Sequence, residues 1–233
     1  MTLESYLRKK EERLISGIFH RVHCPQCRKP KITCYCAAIR PFESSPIFAI
    51  LMHRSETRKR IATGRMAHLC LKNSYLFEGV DFTDHQEVNA LIADPRNYCV
   101  VLSPGANAVN LSKQLPEARA EVFPAGRRPV IFVIDGTWSQ ARRMKRLSKN
   151  LSKLPAICFT PIAPSGFSSV RRQPAEYCYS TIEAIHETLS LLGATGTEHN
   201  NLITVFSFMV RQQHSYVEAY APARGGRAMR GKR

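Results

Sequence analysis

The chain has 233 residues, 44% of them apolar, and a net charge of +16 from 34 Lys+Arg against 18 Asp+Glu. That length and apolar content suit one α/β domain with a small appendage, and no apolar run approaches the roughly 20 residues of a membrane helix. The charged N-terminus lacks a secretory apolar core, so a cytoplasmic protein is expected, and the excess positive charge points to a polyanion, nucleic acid ahead of membrane. Residues 2–20 are expected to form a helix, with Leu3, Leu7, Leu14 and Ile18 on one side and Arg8, Lys9, Lys10 and Arg13 outside.

Four of the eight cysteines follow within thirteen residues: Cys24-Pro-Gln-Cys27, a six-residue basic loop, then Cys34-Tyr-Cys36. Thiolates at these spacings can close a tetrahedral site around a structural Zn2+. A redox pair or an iron–sulfur cluster are the rivals, and the βαβ context of a redox CxxC is missing. Arg28, Lys29 and Lys31 on the knuckle would offer a second contact for a polyanion. Cys70, Cys99, Cys158 and Cys178 are scattered in or near apolar segments and are expected in the core.

Ile47–Met52 is the first clear strand. His53, Glu56, Arg58, Lys59 and Arg60 follow, then Thr63-Gly64, which opens a helix and could present amides to an anion or a carboxylate. Residues 75–80 form a weaker strand, and Asp84 with Glu87 suggests the cap of a further helix that stops at Asp94-Pro95. A buried strand, Tyr98–Leu102, runs into the small-residue loop Ser103-Pro104-Gly105.

Val130–Ile134 is the strongest strand signal. Its mostly β-branched residues run without alternation, as in a parallel sheet covered on both faces. It ends at Asp135-Gly136-Thr137-Trp138, where ligands of open α/β sheets bind. Ser139 is the expected cap of a very basic helix carrying Arg142, Arg143, Lys145 and Arg146. A bland reading, a capping Asp and a core Trp, fits the same spacing. Ala156–Phe159 is a short strand, followed by a loop with Arg171 and Arg172. Ser180 with Glu183 has capping-box spacing, so a helix with open amides starts at Thr181. Residues 202–210 repeat at helical spacing, and the glycine-rich basic end from residue 221 reads as a disordered tail.

These motifs, in this order, resemble the DTW-domain family, named for the Asp-x-Thr-Trp that stands here as Asp135-Gly136-Thr137-Trp138. The resemblance rests also on Cys24-x2-Cys27-x6-Cys34-x-Cys36, on His53-x2-Glu56 running to Thr63-Gly64, on the Ser103-Pro104 loop, and on Ser180-Thr181-Ile182-Glu183-Ala184. Tyr179, in place of an aliphatic residue, and Arg54, in place of a frequent proline, depart from the pattern. The resemblance implies a SPOUT-like α/β sheet, with a C-terminal trefoil knot in prospect. It also implies transfer of the 3-amino-3-carboxypropyl group of S-adenosyl-L-methionine to N3 of a tRNA uridine, releasing 5′-methylthioadenosine. Bacterial members with the front cysteines imply U47 of the variable loop as the target.

On that resemblance the chain divides into an N-terminal helix and four-cysteine zinc knuckle (1–42), a catalytic domain (43–220) and a basic tail (221–233). Asp135, Thr137 and Trp138 are the expected catalytic group. Asp135 serves either as the base for uridine N3, helped by desolvation beside Trp138, or as an orienter of the cofactor. The expected S-adenosylmethionine contacts are Leu102, Ser103, Pro104, Gly105, Ile134, Gly136, Phe159, Ser180 and Thr181. Arg28, Lys31, Arg58, Lys59, Arg60, Arg142, Arg143, Lys145, Arg146, Arg171 and Arg172 are the expected RNA contacts. A monomer is expected. A related RNA methyltransferase and a non-catalytic zinc-containing RNA-binding protein are the competing functions.

Overall fold

The computed structural model describes residues 4–8, 11–12, 22–59, 61–166, 178–194 and 196–220. Residues 4–8 and 11–12 are helical; the rest of the expected N-terminal helix, the Arg58 side chain, Arg60, Arg171, Arg172 and the basic tail lie outside what is described.

Six strands form one sheet in the order β2-β1-β5-β3-β6-β4. They are β1 (Ile47–His53), β2 (Tyr75–Gly79), β3 (Asn97–Leu102), β4 (Val109–Asn110), β5 (Arg128–Asp135) and β6 (Ala156–Cys158). Every pairing is parallel. Among the described residues the helices that follow are α1 (Thr63–Cys70), α2 (Gln86–Ala93), α3 (Pro116–Ala120), α4 (Trp138–Leu147), α5 (Lys149–Ser152), α6 (Thr181–Leu191) and α7 (Asn200–Tyr220).

β5 lies between β1 and β3, which is why its apolar run does not alternate. Successive side chains leave opposite faces of the strand. Ile131 and Val133 join Met66 and Ala67 of α1, Ile185 of α6 and Phe206 of α7 on one face. Val130 and Phe132 join Val88 of α2, Met144 of α4 and Leu151 of α5 on the other. The result is three layers, with helices covering both faces of the sheet. Cys27 and Tyr35 belong to the first of these cores, so the cysteine segment packs onto the same apolar face. Asn201 of α7 secures it, accepting from the Arg40 amide at 2.9 Å and donating to the Ala38 carbonyl at 3.2 Å.

Three local expectations are corrected. Thr137, not Ser139, caps α4: its hydroxyl accepts from Gln140 N at 3.3 Å, and Gln140 Oε1 accepts from Thr137 N at 2.9 Å. The glutamine three residues on selects the cap, because it completes a reciprocal box that Ser139 cannot. His85, not Asp84, caps α2, with its ring nitrogen accepting from Val88 N. Cys70 and Cys99 are buried as expected, but Cys158 and Cys178 are only half-buried, because both flank the loop that leaves β6.

Candidate active site at the carboxyl edge of the sheet

The parallel register brings the ends of β1, β2 and β5 to one level: Met52 lies beside both Glu78 and Asp135. On the other side Leu102 aligns with Val133 and with Ile157. The turns after β1, β3, β5 and β6 therefore open on one edge, the usual ligand side of such a sheet.

Asp135 ends β5 and is only 4% exposed. Thr181, the first residue of α6, donates its hydroxyl to Asp135 Oδ1 at 2.5 Å. The carboxylate also rests on Gly64, the second residue of α1: a Cβ built there would lie 2.5 Å from Asp135 Oδ2. What the structure places against this helix start is a carboxylate of the chain itself, packed close enough that only glycine fits. Gly136 is more loosely confined: a Cβ there would lie 3.2 Å from Gln140 Cβ, slightly tight, and 3.5 Å from His53 Cβ, an ordinary contact.

Gln140 links the turn after β5 to the turn after β1. Its Nε2 donates to Ser55 Oγ at 2.9 Å, and Ser55 Oγ lies 2.8 Å from His53 Nδ1. Ser55 N also donates to His53 Nδ1 at 3.1 Å. A backbone amide can only donate, so Nδ1 accepts and the neutral ring carries its proton on Nε2. Desolvation lowers the His53 pKa, with Glu56 opposing and Lys59 and Arg143 reinforcing the shift. The imidazole is thus held neutral beside Gly136.

Trp138 is 42% exposed at the start of α4. It offers a ring face at the sheet edge, and the core-Trp alternative is excluded. Pro104 and Gly105 are exposed, while Leu102, Ser103, Ile134 and Phe159 are half-buried around the same edge. The Phe159 and Tyr179 rings sit 5.6 Å apart. Lys145, expected to face RNA, instead turns inward and donates to Ser103 Oγ at 3.0 Å. It reaches there because it stands two turns into α4, above the loop after β3.

Ser180 is engaged internally. Its hydroxyl donates to Glu183 Oε2 at 2.5 Å and its amide to the same oxygen at 2.8 Å. Ser165 Oγ donates to Glu183 Oε2 at 2.7 Å and Gly166 N to Oε1 at 2.9 Å. Glu183 is therefore a buried clamp between the loop after β6 and α6. The capping-box spacing revealed its bond to Ser180, while its hold on Ser165 and Gly166 had no local signal.

The Cys24, Cys27, Cys34 and Cys36 sulfurs all lie within 4.8 Å of one another. Cys24 and Cys36 are 3.7 Å apart, as are Cys27 and Cys34. A tetrahedron with Zn–S bonds of about 2.3 Å has edges of about 3.8 Å, so the four sulfurs fit zinc. The Cys27 amide is the main influence that lowers the Cys24 thiol to about 7, and burial raises Cys27 and Cys36.

Among the other expected RNA contacts, Lys31, Arg142, Arg143 and Arg146 are exposed. Arg28 pairs with Glu78 at 3.1 Å, and Lys59 pairs with the buried Glu56. No described helix is long and apolar enough to cross a membrane.

Residues 21–214 match the family model of the DTW domain. A mouse protein named tRNA-uridine aminocarboxypropyltransferase 2 is 28% identical over 193 residues, covering 78% of this chain and 59% of its own length. A Drosophila melanogaster protein of the same name is 27% identical over 179 residues, covering 74% of this chain and 67% of its own. A Macaca fascicularis namesake is 28% identical over 187 residues, with 78% and 59% covered. The chain thus spans about three fifths of the mouse and macaque proteins. No solved structure matches it. With the Asp135–Trp138 motif at the carboxyl end of the central strand and the match running over most of its length, the chain belongs to the DTW-domain family.

Proposed function

We propose that this protein is a tRNA-uridine aminocarboxypropyltransferase that uses S-adenosyl-L-methionine as donor and releases 5′-methylthioadenosine. The observation that carries the reading is the placement of Asp135: a buried carboxylate bonded by Thr181 and packed closely against Gly64, at the carboxyl edge of the sheet, within the family's own motif. The names of the animal relatives supply the reaction and the tRNA substrate. The basic face of α4 supports the same class of partner.

In this reading uridine N3 attacks Cγ of the methionine moiety. The Cγ–S bond breaks and its electron pair neutralises the sulfonium as methylthioadenosine leaves. Asp135 accepts the N3 proton, help typically worth ~10²–10⁴ in rate. Neutral His53 borders the same turn as a donor. Trp138 supplies a stacking face for the splayed base or the adenine. Leu102, Ser103, Pro104, Gly105, Ile134, Gly136 and Phe159 line the donor side, and Lys145 sits at the Ser103 loop with a charge suited to the donor carboxylate. The Ser180 and Thr181 hydroxyls are already committed to Glu183 and Asp135, which leaves backbone amides for that carboxylate. Cys24, Cys27, Cys34 and Cys36 would hold a structural zinc that ties the knuckle to the core.

U47 as target, a cytoplasmic monomer, the division at residues 42 and 220, and a SPOUT-like knot belong to the same proposal. The test is isotopic. Donor labelled in the methionyl carboxyl carbon should pass its label to tRNA, and donor labelled in the methyl group should not. Transfer of the methyl label alone would make the protein a methyltransferase.

A further inference from the structure

Lys29, expected with Arg28 and Lys31 to face a polyanion, is turned inward instead. It follows Cys27 and Arg28 in the knuckle loop, yet it is only 7% exposed. Burying an ammonium is costly unless it is paired, and this one donates to the Lys59 carbonyl at 2.5 Å. Its neighbour Arg28 stands in the left-handed region at φ 57° and reaches Glu78 Oε1 at 3.1 Å. The same Glu78 oxygen accepts from Arg65 at 2.6 Å. Arg65 is buried and adjoins Gly64, on which Asp135 rests.

Two consecutive knuckle residues thus reach the start of α1 by separate routes. Lys29 grips the chain just before it, at Lys59, and Arg28 reaches its first turn through Glu78 and Arg65. Glu78 and Asp135 are also the two strand neighbours of Met52, so the brace sits at the level of the carboxylate.

We propose that Lys29 and Arg28 are positioning residues: the cysteine knuckle serves, through Lys59 and Glu78, to fix the α1 N-terminus that seats Asp135. This rests on the aminocarboxypropyltransfer reading for its kinetic consequence, and on geometry alone for its structural one. It also moves Arg28 from the RNA contacts to the support of the site.

The experiment compares Lys29→Met, which keeps the buried volume, and Glu78→Gln, on the half-exposed strand edge, with the parent protein. Hydrogen exchange is read at the amides of residues 63–66, alongside zinc content, kcat and the KM for tRNA. Both variants should keep full zinc and exchange faster at those amides. A slight misplacement of a reacting group is costly, so kcat should fall about tenfold while the KM for tRNA changes less than about twofold. Unchanged exchange at residues 63–66 in both variants would overturn the brace. So would an effect confined to the KM for tRNA, which would return these residues to RNA binding. If the parent transferred no aminocarboxypropyl group, the functional reading would fall, and exchange would still decide the brace. If Lys29→Met did not fold, Glu78→Gln would decide it alone.

Discussion

Gly64→Ala is the sharpest probe of the site, because the structure sets its size. The added methyl carbon would stand 2.5 Å from Asp135 Oδ2, 2.7 Å from Cγ and 3.0 Å from Cβ. Carbon needs about 3.5 Å, so the carboxylate or the helix must retreat by about 1 Å. Asp135 cannot swing a remote end aside: its side chain is short, it ends a strand paired on both sides, and Thr181 holds Oδ1. A displacement of that size at a reacting group costs about 100-fold in rate. The protein should nonetheless stay folded, because the cost is below the roughly 5 kcal/mol or more of a native domain's stability. Overpacking costs about 1–3 kcal/mol, and alanine's better helix propensity returns up to about 1 kcal/mol. Single-turnover modification of tRNA, with a thermal melt of the same sample, separates the two. A folded Gly64→Ala protein that turned over within about twofold of the parent would refute the seating of Asp135 on α1.

Other consequences are as direct. Reversing Arg142 and Arg146 to Glu should weaken tRNA binding and lower the salt slope by about one for each phosphate left unneutralised, measured by titration at several salt concentrations. Removing zinc with a chelator, or Cys27→Ser, should lower the melting temperature and expose Tyr35 to quenchers, because both side chains sit in the main core; an unchanged melt would contradict a structural metal. His53, His68 and His199 all have pKa values lowered from 6.5, chiefly by desolvation, with Arg65 adding to the shift at His68. Their neutral forms are favoured in the fold, so their contribution is complete above the unfolded value and is lost as pH falls through the lowered ones. Stability should therefore decline on acidification from about pH 6.5, and His68→Gln should flatten that decline in melts taken across pH.

What was legible in the chain was whatever is written locally. The unbroken apolar run into Asp135 announced a central parallel strand, and it became β5. The Cys spacing announced a four-sulfur cluster, and the sulfurs meet. Ser180 with Glu183 announced the start of α6. Local patterns also misled where a stronger one overlapped: Ser139 looked like a cap until Gln140 was paired with Thr137. The two-residue β4 and the short α3 and α5 carry too few residues for a period to show. The remainder was hidden because it is made by distant partners. Nothing near Gly64 says that Asp135 will lie on it, nothing near Lys145 says that it will reach Ser103, and a lysine beside a metal knuckle reads as surface until Lys29 is found buried.

The central claim is that Asp135 serves aminocarboxypropyl transfer to a tRNA uridine. Mass spectrometry of nucleosides from unmodified tRNA, incubated with S-adenosylmethionine and either the parent protein or Asp135→Ala, tests it most directly. The account predicts an aminocarboxypropylated uridine and methylthioadenosine with the parent, and neither with the variant, although the variant still binds tRNA. A methylated nucleoside with the parent, or the same aminocarboxypropylated product formed at full rate by Asp135→Ala, would contradict it.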